Sequence, residues 1–216
     1  MLDYYLTVTG ESEGVFKSKG SKFIAYCFPV SDIESVDLRL EEIKSRHPKA
    51  RHVCYSYNIG MDQQLYRIND DGEPSGTAGR PIYNEILSNE LTDILIAVVR
   101  YFGGTKLGVP GLINAYKTAS QDALDHTEIV TKYLTQTIKV TYEPKDMGRL
   151  YDIIKRIGIG DIKNEYGLQP TLILEQRKSK IINTTKEIYA QYHGYGVEDI
   201  HDDFESSDLK IELLTS

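Results

Sequence analysis

The chain has 216 residues, 40% hydrophobic and 26% charged, enough for one large or two modest domains with a core that folds independently. Its longest purely aliphatic run, Ile94 to Val99, is too short to span a bilayer, Met1-Leu2-Asp3-Tyr4 lacks the start of a secretory signal, and two cysteines, Cys27 and Cys54, cannot build a disulfide framework, so a cytoplasmic protein without membrane contact is expected. The net charge of −7 does not exclude a polyanionic partner. Glu198, Asp199, Asp202, Asp203, Glu205 and Asp208 concentrate the acidity, while Lys17, Lys19 and Lys22, then Lys44, Arg46, Lys49 and Arg51, form local basic runs.

Tyr4 to Thr9 and Lys22 to Val30 read as strands. Ser31-Asp32-Ile33-Glu34 fits a capping box, and Ile33, Val36, Leu40 and Ile43 follow at helical spacing until His47-Pro48. From His52 to Ile59 the alternation of Val53, Tyr55, Tyr57 and Ile59 with smaller polar residues predicts a half-buried strand, and Leu65 to Ile68 a short partner. A helix is expected from about Thr77 to Leu87, a buried strand over Asp93 to Phe102, and a helix opened by Pro110-Gly111 and reaching His126. Beyond Thr131 come a strand at Thr135–Tyr142, a helix at Lys145–Ile157 closed by Gly158, and strands near Asp161–Gly167 and Thr171–Glu175. A helix around Lys180–Tyr192 closed by Gly194 and an extended segment over Gly196–Phe204 complete the chain. The β-α-β-β-α-β order of this last part predicts a ferredoxin-like domain. The expected layout is therefore an α+β domain over residues 1–130 and a second domain over 131–216.

Two glycine-rich, charged blocks mark the candidate site. In the first, Asp70, Asp71, Glu73, Ser75, Gly76, Thr77, Gly79 and Arg80 crowd into one turn. Its carboxylates can hold Mg²⁺ or pair with Arg67, Arg80 or Arg100 to tie two loops together; an EF-hand is excluded because the twelfth position falls on Pro81. The second block runs from Arg100 through Gly103, Gly104, Thr105, Lys106 and Gly108 into a helix N-terminus. Unpaired amides there, with Lys106 and Arg100, suit a phosphate or other anion; the alternative is a tight strand-to-helix turn whose glycines only satisfy geometry. A P-loop is excluded, since Gly108-Val109 stands where Gly-Lys is required. His52 and Cys54 share a strand face, which permits a ligand pair or a nucleophile with its base. No C-x-x-C or H-x-x-x-H accompanies them, so Cys54 is read as structural and His52 as a hydrogen-bond donor near the acidic loop. No cofactor or metal motif emerges, and sixteen tyrosines add weak support for base stacking.

Together these blocks, with Lys19-Gly20-Ser21-Lys22-Phe23-Ile24-Ala25, His52-Val53-Cys54-Tyr55 and Gly111-Leu112-Ile113-Asn114-Ala115-Tyr116, resemble the IMPACT/YigZ family over about residues 15–120. The resemblance implies an N-terminal α+β domain like one in a small-subunit ribosomal protein and in the fourth domain of elongation factor G, followed by a ferredoxin-like domain. Eukaryotic members act in translational control by binding a regulator of a kinase that phosphorylates an initiation factor. The resulting expectation is a non-catalytic protein that binds RNA, the ribosome or a translation-regulating protein. The alternative is a Mg²⁺-dependent enzyme acting on a phosphorylated or nucleotide-like small molecule.

Overall fold

A computed structural model describes residues 3–61, 65–160, 162–165, 167, 169–201, 206 and 208–214. The chain divides into two compact units, one spanning Tyr5–Lys132 and the other Met1–Tyr4 with Tyr133–Ser216. Both are α+β units built on antiparallel sheets.

The first unit opens with β1 (Tyr4–Val8), β2 (Ser12–Ser18) and β3 (Ser21–Pro29), followed by α1 (Ile33–Arg46). Next come β4 (His52–Ile59), β5 (Leu65–Asn69), α2 (Gly79–Ser88), β6 (Ile94–Tyr101), α3 (Gly108–Asp125) and β7 (Ile129–Tyr133). β1 and β7 form a separate two-stranded sheet, and the main sheet runs β2-β3-β6-β4-β5 with every pairing antiparallel.

β6 is central, and its apolar run has a simple cause: both of its faces are covered. Ile94, Ile96 and Val98 pack with Ile82, Ile86, Ala115 and Ala119 of α2 and α3. Leu95, Ala97 and Val99 pack on the other side with Val36, Leu40 and Ile43 of α1. β3 alternates likewise, with Phe23, Ala25 and Cys27 toward α2 and α3 and Ile24, Tyr26 and Phe28 toward α1.

Several boundaries differ from the sequence expectation. β2 carries too little apolar alternation to be read alone; it holds its place by pairing with β3 and by lying against α3. A Cβ on Gly14 of β2 would sit 2.2 Å from the amide nitrogen of Ala123, so only glycine permits this approach. The α1 cap is Asp32, not Ser31: Asp32 accepts the Ser35 amide at 2.7 Å, and Ser35 Oγ accepts the Asp32 amide at 3.3 Å. At the far end of α1, His47 lies 2.8 Å from the Tyr26 hydroxyl and 2.9 Å from that of Tyr101, and burial lowers its pKa.

The second unit contains β8 (Thr135–Tyr142), α4 (Met147–Ile157), β9 (Ile162–Glu165), β10 (Thr171–Arg177), α5 (Ile181–His193) and β11 (Leu209–Leu214). Its antiparallel sheet runs β11-β8-β10-β9. Leu150, Ile153 and Ile154 of α4 and Ile181, Ile188 and Tyr192 of α5 bury against Ile138, Val140, Leu172 and Leu174. The extended segment expected over Gly196–Phe204 is not a strand where it is described: Val197–Asp199 is a single 3-10 turn, and residues 202–204 lie outside the described residues. The last strand is β11, whose Leu209 is buried and pairs in register with Tyr142. No helix among the described residues is long and apolar enough to cross a membrane.

The β2–α3 contact yields a stability test. Gly14→Ala should lower the unfolding free energy by about 1–3 kcal/mol through overpacking. Gly10→Ala, where a Cβ meets nothing within 4 Å, should change it by less than about 0.5 kcal/mol. Urea unfolding followed by circular dichroism measures both.

Candidate functional site

The site lies at one end of the main sheet, where Phe23 of β3, Arg100 of β6 and His52 of β4 stand side by side in cross-strand register. Arg100 is almost wholly buried, with its guanidinium 5.5 Å from the Phe23 ring centroid and 5.6 Å from that of Phe102. A buried guanidinium requires a counter-charge. Glu73 supplies it: Arg100 Nη1 donates to Glu73 Oε1 at 2.5 Å, and the side chains are only 8% and 4% exposed. The same carboxylate oxygen accepts the Tyr116 hydroxyl of α3 at 2.7 Å. Strand, loop and helix are thus tied by three side chains. Arg100 Nε has no hydrogen-bond partner among the described residues.

Cys54 lies beneath this cluster, its sulfur 3.0 Å from the Asp70 carbonyl and 3.3 Å from the Tyr116 hydroxyl. Burial drives the Cys54 thiol well above its ordinary range, and burial with the adjacent Cys54 and Glu73 does the same to the Tyr116 hydroxyl. Both groups remain protonated donors at neutral pH. Cys54 is buried, and its sulfur meets a backbone carbonyl and a tyrosine hydroxyl.

The acidic turn uses its carboxylates differently from the expected arginine pairing. Asp70 accepts backbone amides from Gly76 at 2.9 Å, Ala78 at 3.0 Å and Gly79 at 2.8 Å, which holds the turn against the start of α2. Asp71 accepts the Val53 amide at 2.6 Å, while its carbonyl accepts His52 Nδ1 at 2.7 Å. Of the three acids only Glu73 pairs with an arginine among these contacts. Thr77 donates its hydroxyl to the Pro74 carbonyl at 2.6 Å and closes the turn. Gly79 packs against β5, where a Cβ would lie 2.7 Å from Asn69 N. Ser75, Gly76 and Arg80 are exposed, as is Arg67 on β5.

In the second block Gly103 faces the β2–β3 hairpin, and a Cβ there would come within 1.9 Å of the Gly20 carbonyl carbon. Its close approach is therefore to the protein's own backbone, fastened by its amide donating to Ser21 Oγ at 3.1 Å. Gly104, Thr105 and Lys106 are exposed, and Gly108 begins α3. The helix thus starts two residues before Pro110, and no side chain caps its free amides.

A cavity of about 440 Å³ opens here. Of the expected site residues it brings together His52, Glu73, Arg100, Lys106 and Gly108. Arg67, Asp70, Asp71, Ser75, Gly76 and Thr77 do not line it, nor do Gly79, Arg80, Gly103, Gly104 and Thr105. The cavity also takes in residues that motif reading passed over: Arg51, Pro74, Phe102, Leu107, Val109 and Leu112. Arg51 had a signal, since it ends a basic run immediately before β4; Phe102 had one as an aromatic between charged and glycine residues.

Within the cavity lining Glu73 balances Arg100, so Arg51 and Lys106 supply the net positive charge. The uncapped start of α3 adds partial positive charge at the same wall. This arrangement can attract an anion. Among the described residues no group of three or more His, Cys, Asp and Glu is placed to hold a metal ion, and the Asp70 oxygens are already taken by amides.

The pattern of the Impact N-terminal domain matches residues 19–124, a span that contains the whole cavity wall. The IMPACT family member YvyE of Bacillus subtilis is 35% identical over 150 residues, 69% of each chain. The IMPACT family member YigZ of Escherichia coli is 37% identical over 108 residues, 49% of this chain and 53% of that one. A crystal structure of a hypothetical protein superimposes with a TM-score of 0.66 at 23% identity, covering 100% of this chain and 98% of the other, a likeness of fold.

Two measurements probe the buried cluster. Glu73→Gln leaves the Arg100 charge uncompensated and should lower stability by about 3 kcal/mol in denaturant unfolding. Burial pushes the Cys27 thiol up to about 12 and raises that of Cys54 as well, so neither is a thiolate at pH 8. Folded protein should leave a chromogenic disulfide reagent unreacted at that pH, and both thiols should titrate after unfolding in guanidinium.

Proposed function

The chain belongs to the IMPACT family, and on that premise we propose that it is a non-catalytic, translation-associated protein that binds RNA through the cavity at the start of α3. The observation that carries this reading is the charge of the cavity wall. Arg51 and Lys106 line it as net positive charge, because the third cation, Arg100, is balanced by the single lining carboxylate, Glu73. An incoming phosphate there meets cations and helix-terminal amides beside a low-dielectric wall, where charge interactions are stronger than in bulk water. The positive wall is the ground for choosing RNA, on or off the ribosome; the protein-binding mode of the eukaryotic relatives is the competing outcome.

The finer fold reading is consistent with the same context. We read the first unit as similar to the ribosomal-protein and elongation-factor-G fourth-domain fold and the second as ferredoxin-like, with the domain boundary near the end of β7 rather than at the expected residue 130. This support is analogy of fold, and the weight rests on the site.

The Mg²⁺-dependent enzyme fits the geometry less well. Asp70 holds three amides and Asp71 one, which leaves the turn without an open carboxylate pair. Cys54 has a carbonyl and a tyrosine hydroxyl as hydrogen-bond neighbours rather than a base.

Titrating a fluorescently labelled single-stranded RNA at several salt concentrations tests the proposal. The wild-type affinity should fall steeply with salt, and Lys106→Ala or Arg51→Ala should weaken binding and reduce the slope of log K against log salt by about one. Absence of RNA binding, with capture of a translation factor that survives nuclease, would replace this reading with a protein-adaptor role.

A further inference from the structure

The cavity is more apolar than a phosphate site needs to be. Arg51 and Lys106 give it a cationic side, but Phe102, Leu107, Val109 and Leu112 also line it with hydrocarbon. Phe102 is 48% exposed and Val109 51% exposed. The Phe102 ring has the buried Arg100 guanidinium 5.6 Å from its centroid, and Arg100 is itself fixed by Glu73. The ring thus has a charged group beside it, while nearly half of its surface is open. At about 440 Å³ the cavity lies within the roughly 300–1,000 Å³ typical of sites for compact ligands.

We propose that the cavity takes one unpaired nucleotide of an RNA strand, its phosphate against Arg51, Lys106 and the α3 amides and its base stacked on Phe102 against Val109 and Leu112. The inference rests on the RNA-binding reading and adds the base to it. A phosphate alone leaves the hydrocarbon wall uncovered. A duplex keeps its bases stacked on one another and presents no free base face to a phenyl ring. A single-stranded segment offers both parts at once, and stacking on an aromatic side chain is tolerant of base identity.

The chain contains no tryptophan, so Phe102→Trp introduces a single indole reporter at the wall. Binding of a short adenine-rich single-stranded RNA should quench its fluorescence. Unmodified protein should bind the same RNA about fivefold or more tightly than an oligonucleotide of identical backbone with abasic positions. The comparison on unmodified protein stands even where the variant folds poorly. RNA binding that is salt-sensitive but equal for abasic and intact strands, without quenching, would overturn the base subsite and leave the phosphate reading standing. Double-stranded RNA binding as tightly as single-stranded, or a free nucleoside monophosphate binding as tightly as the strand, would overturn the assignment to an unpaired nucleotide within a strand. No RNA binding under any condition would overturn both proposals.

Discussion

The buried contact between Arg100 and Glu73 is the constraint on which the first unit's site depends. It joins the central strand to the turn before α2, and Tyr116 brings α3 onto the same carboxylate. An isolated charge at that depth would be unstable, so the turn cannot move away without stranding the guanidinium. Cys54 and Asp70 continue the linkage toward α2, because the Asp70 carbonyl lies beside the thiol while its carboxylate gathers the amides at the helix start. One connected set of polar groups, enclosed by the Phe23 ring and the α3 helix, thereby fixes the shape of the cavity wall.

This division explains why two similar glycine-rich blocks behave differently. The acidic turn satisfies itself, with its aspartates and threonine bonded to backbone groups nearby. The lysine-bearing loop is fastened by Gly103 to the β2–β3 hairpin, but the chain beyond it is exposed up to Lys106, and α3 begins without a side-chain cap. Internal bonding in the first block makes a scaffold. The second leaves Lys106 and the first amides of α3 open at the edge of the cavity.

Much of this was legible in the sequence. The continuous apolar run of β6 marked a strand covered on both faces, and Gly158 and Gly194 stand at the ends of α4 and α5 with left-handed backbone, as helix-closing glycines do. The two blocks also located the cavity. What could not be read was partnership across distance. Nothing local distinguishes Asp70, which accepts amides, from Glu73, which meets an arginine 27 positions away. β2 escaped notice because its stability comes from its neighbours, and Arg51, read only as part of a basic run, and Phe102 were not assigned to the site because their place in the wall is set by the ends of strands rather than by a motif.

The buried arginine and the rim cations have different physical tasks. Arg100 is held by Glu73 and cannot swing outward to follow a ligand, and its guanidinium lies beside the Phe102 ring. Lys106 is exposed, as is Arg51, and both are free of that burial constraint. At physiological ionic strength charges separated by more than about 8 Å are largely screened from one another. The local group, rather than the net −7 of the chain, therefore decides what is drawn to the cavity. The buried Arg100–Glu73 pair takes up the one carboxylate lining the cavity and leaves Arg51 and Lys106 as the net positive charge of its wall, the feature on which the proposed phosphate contact rests.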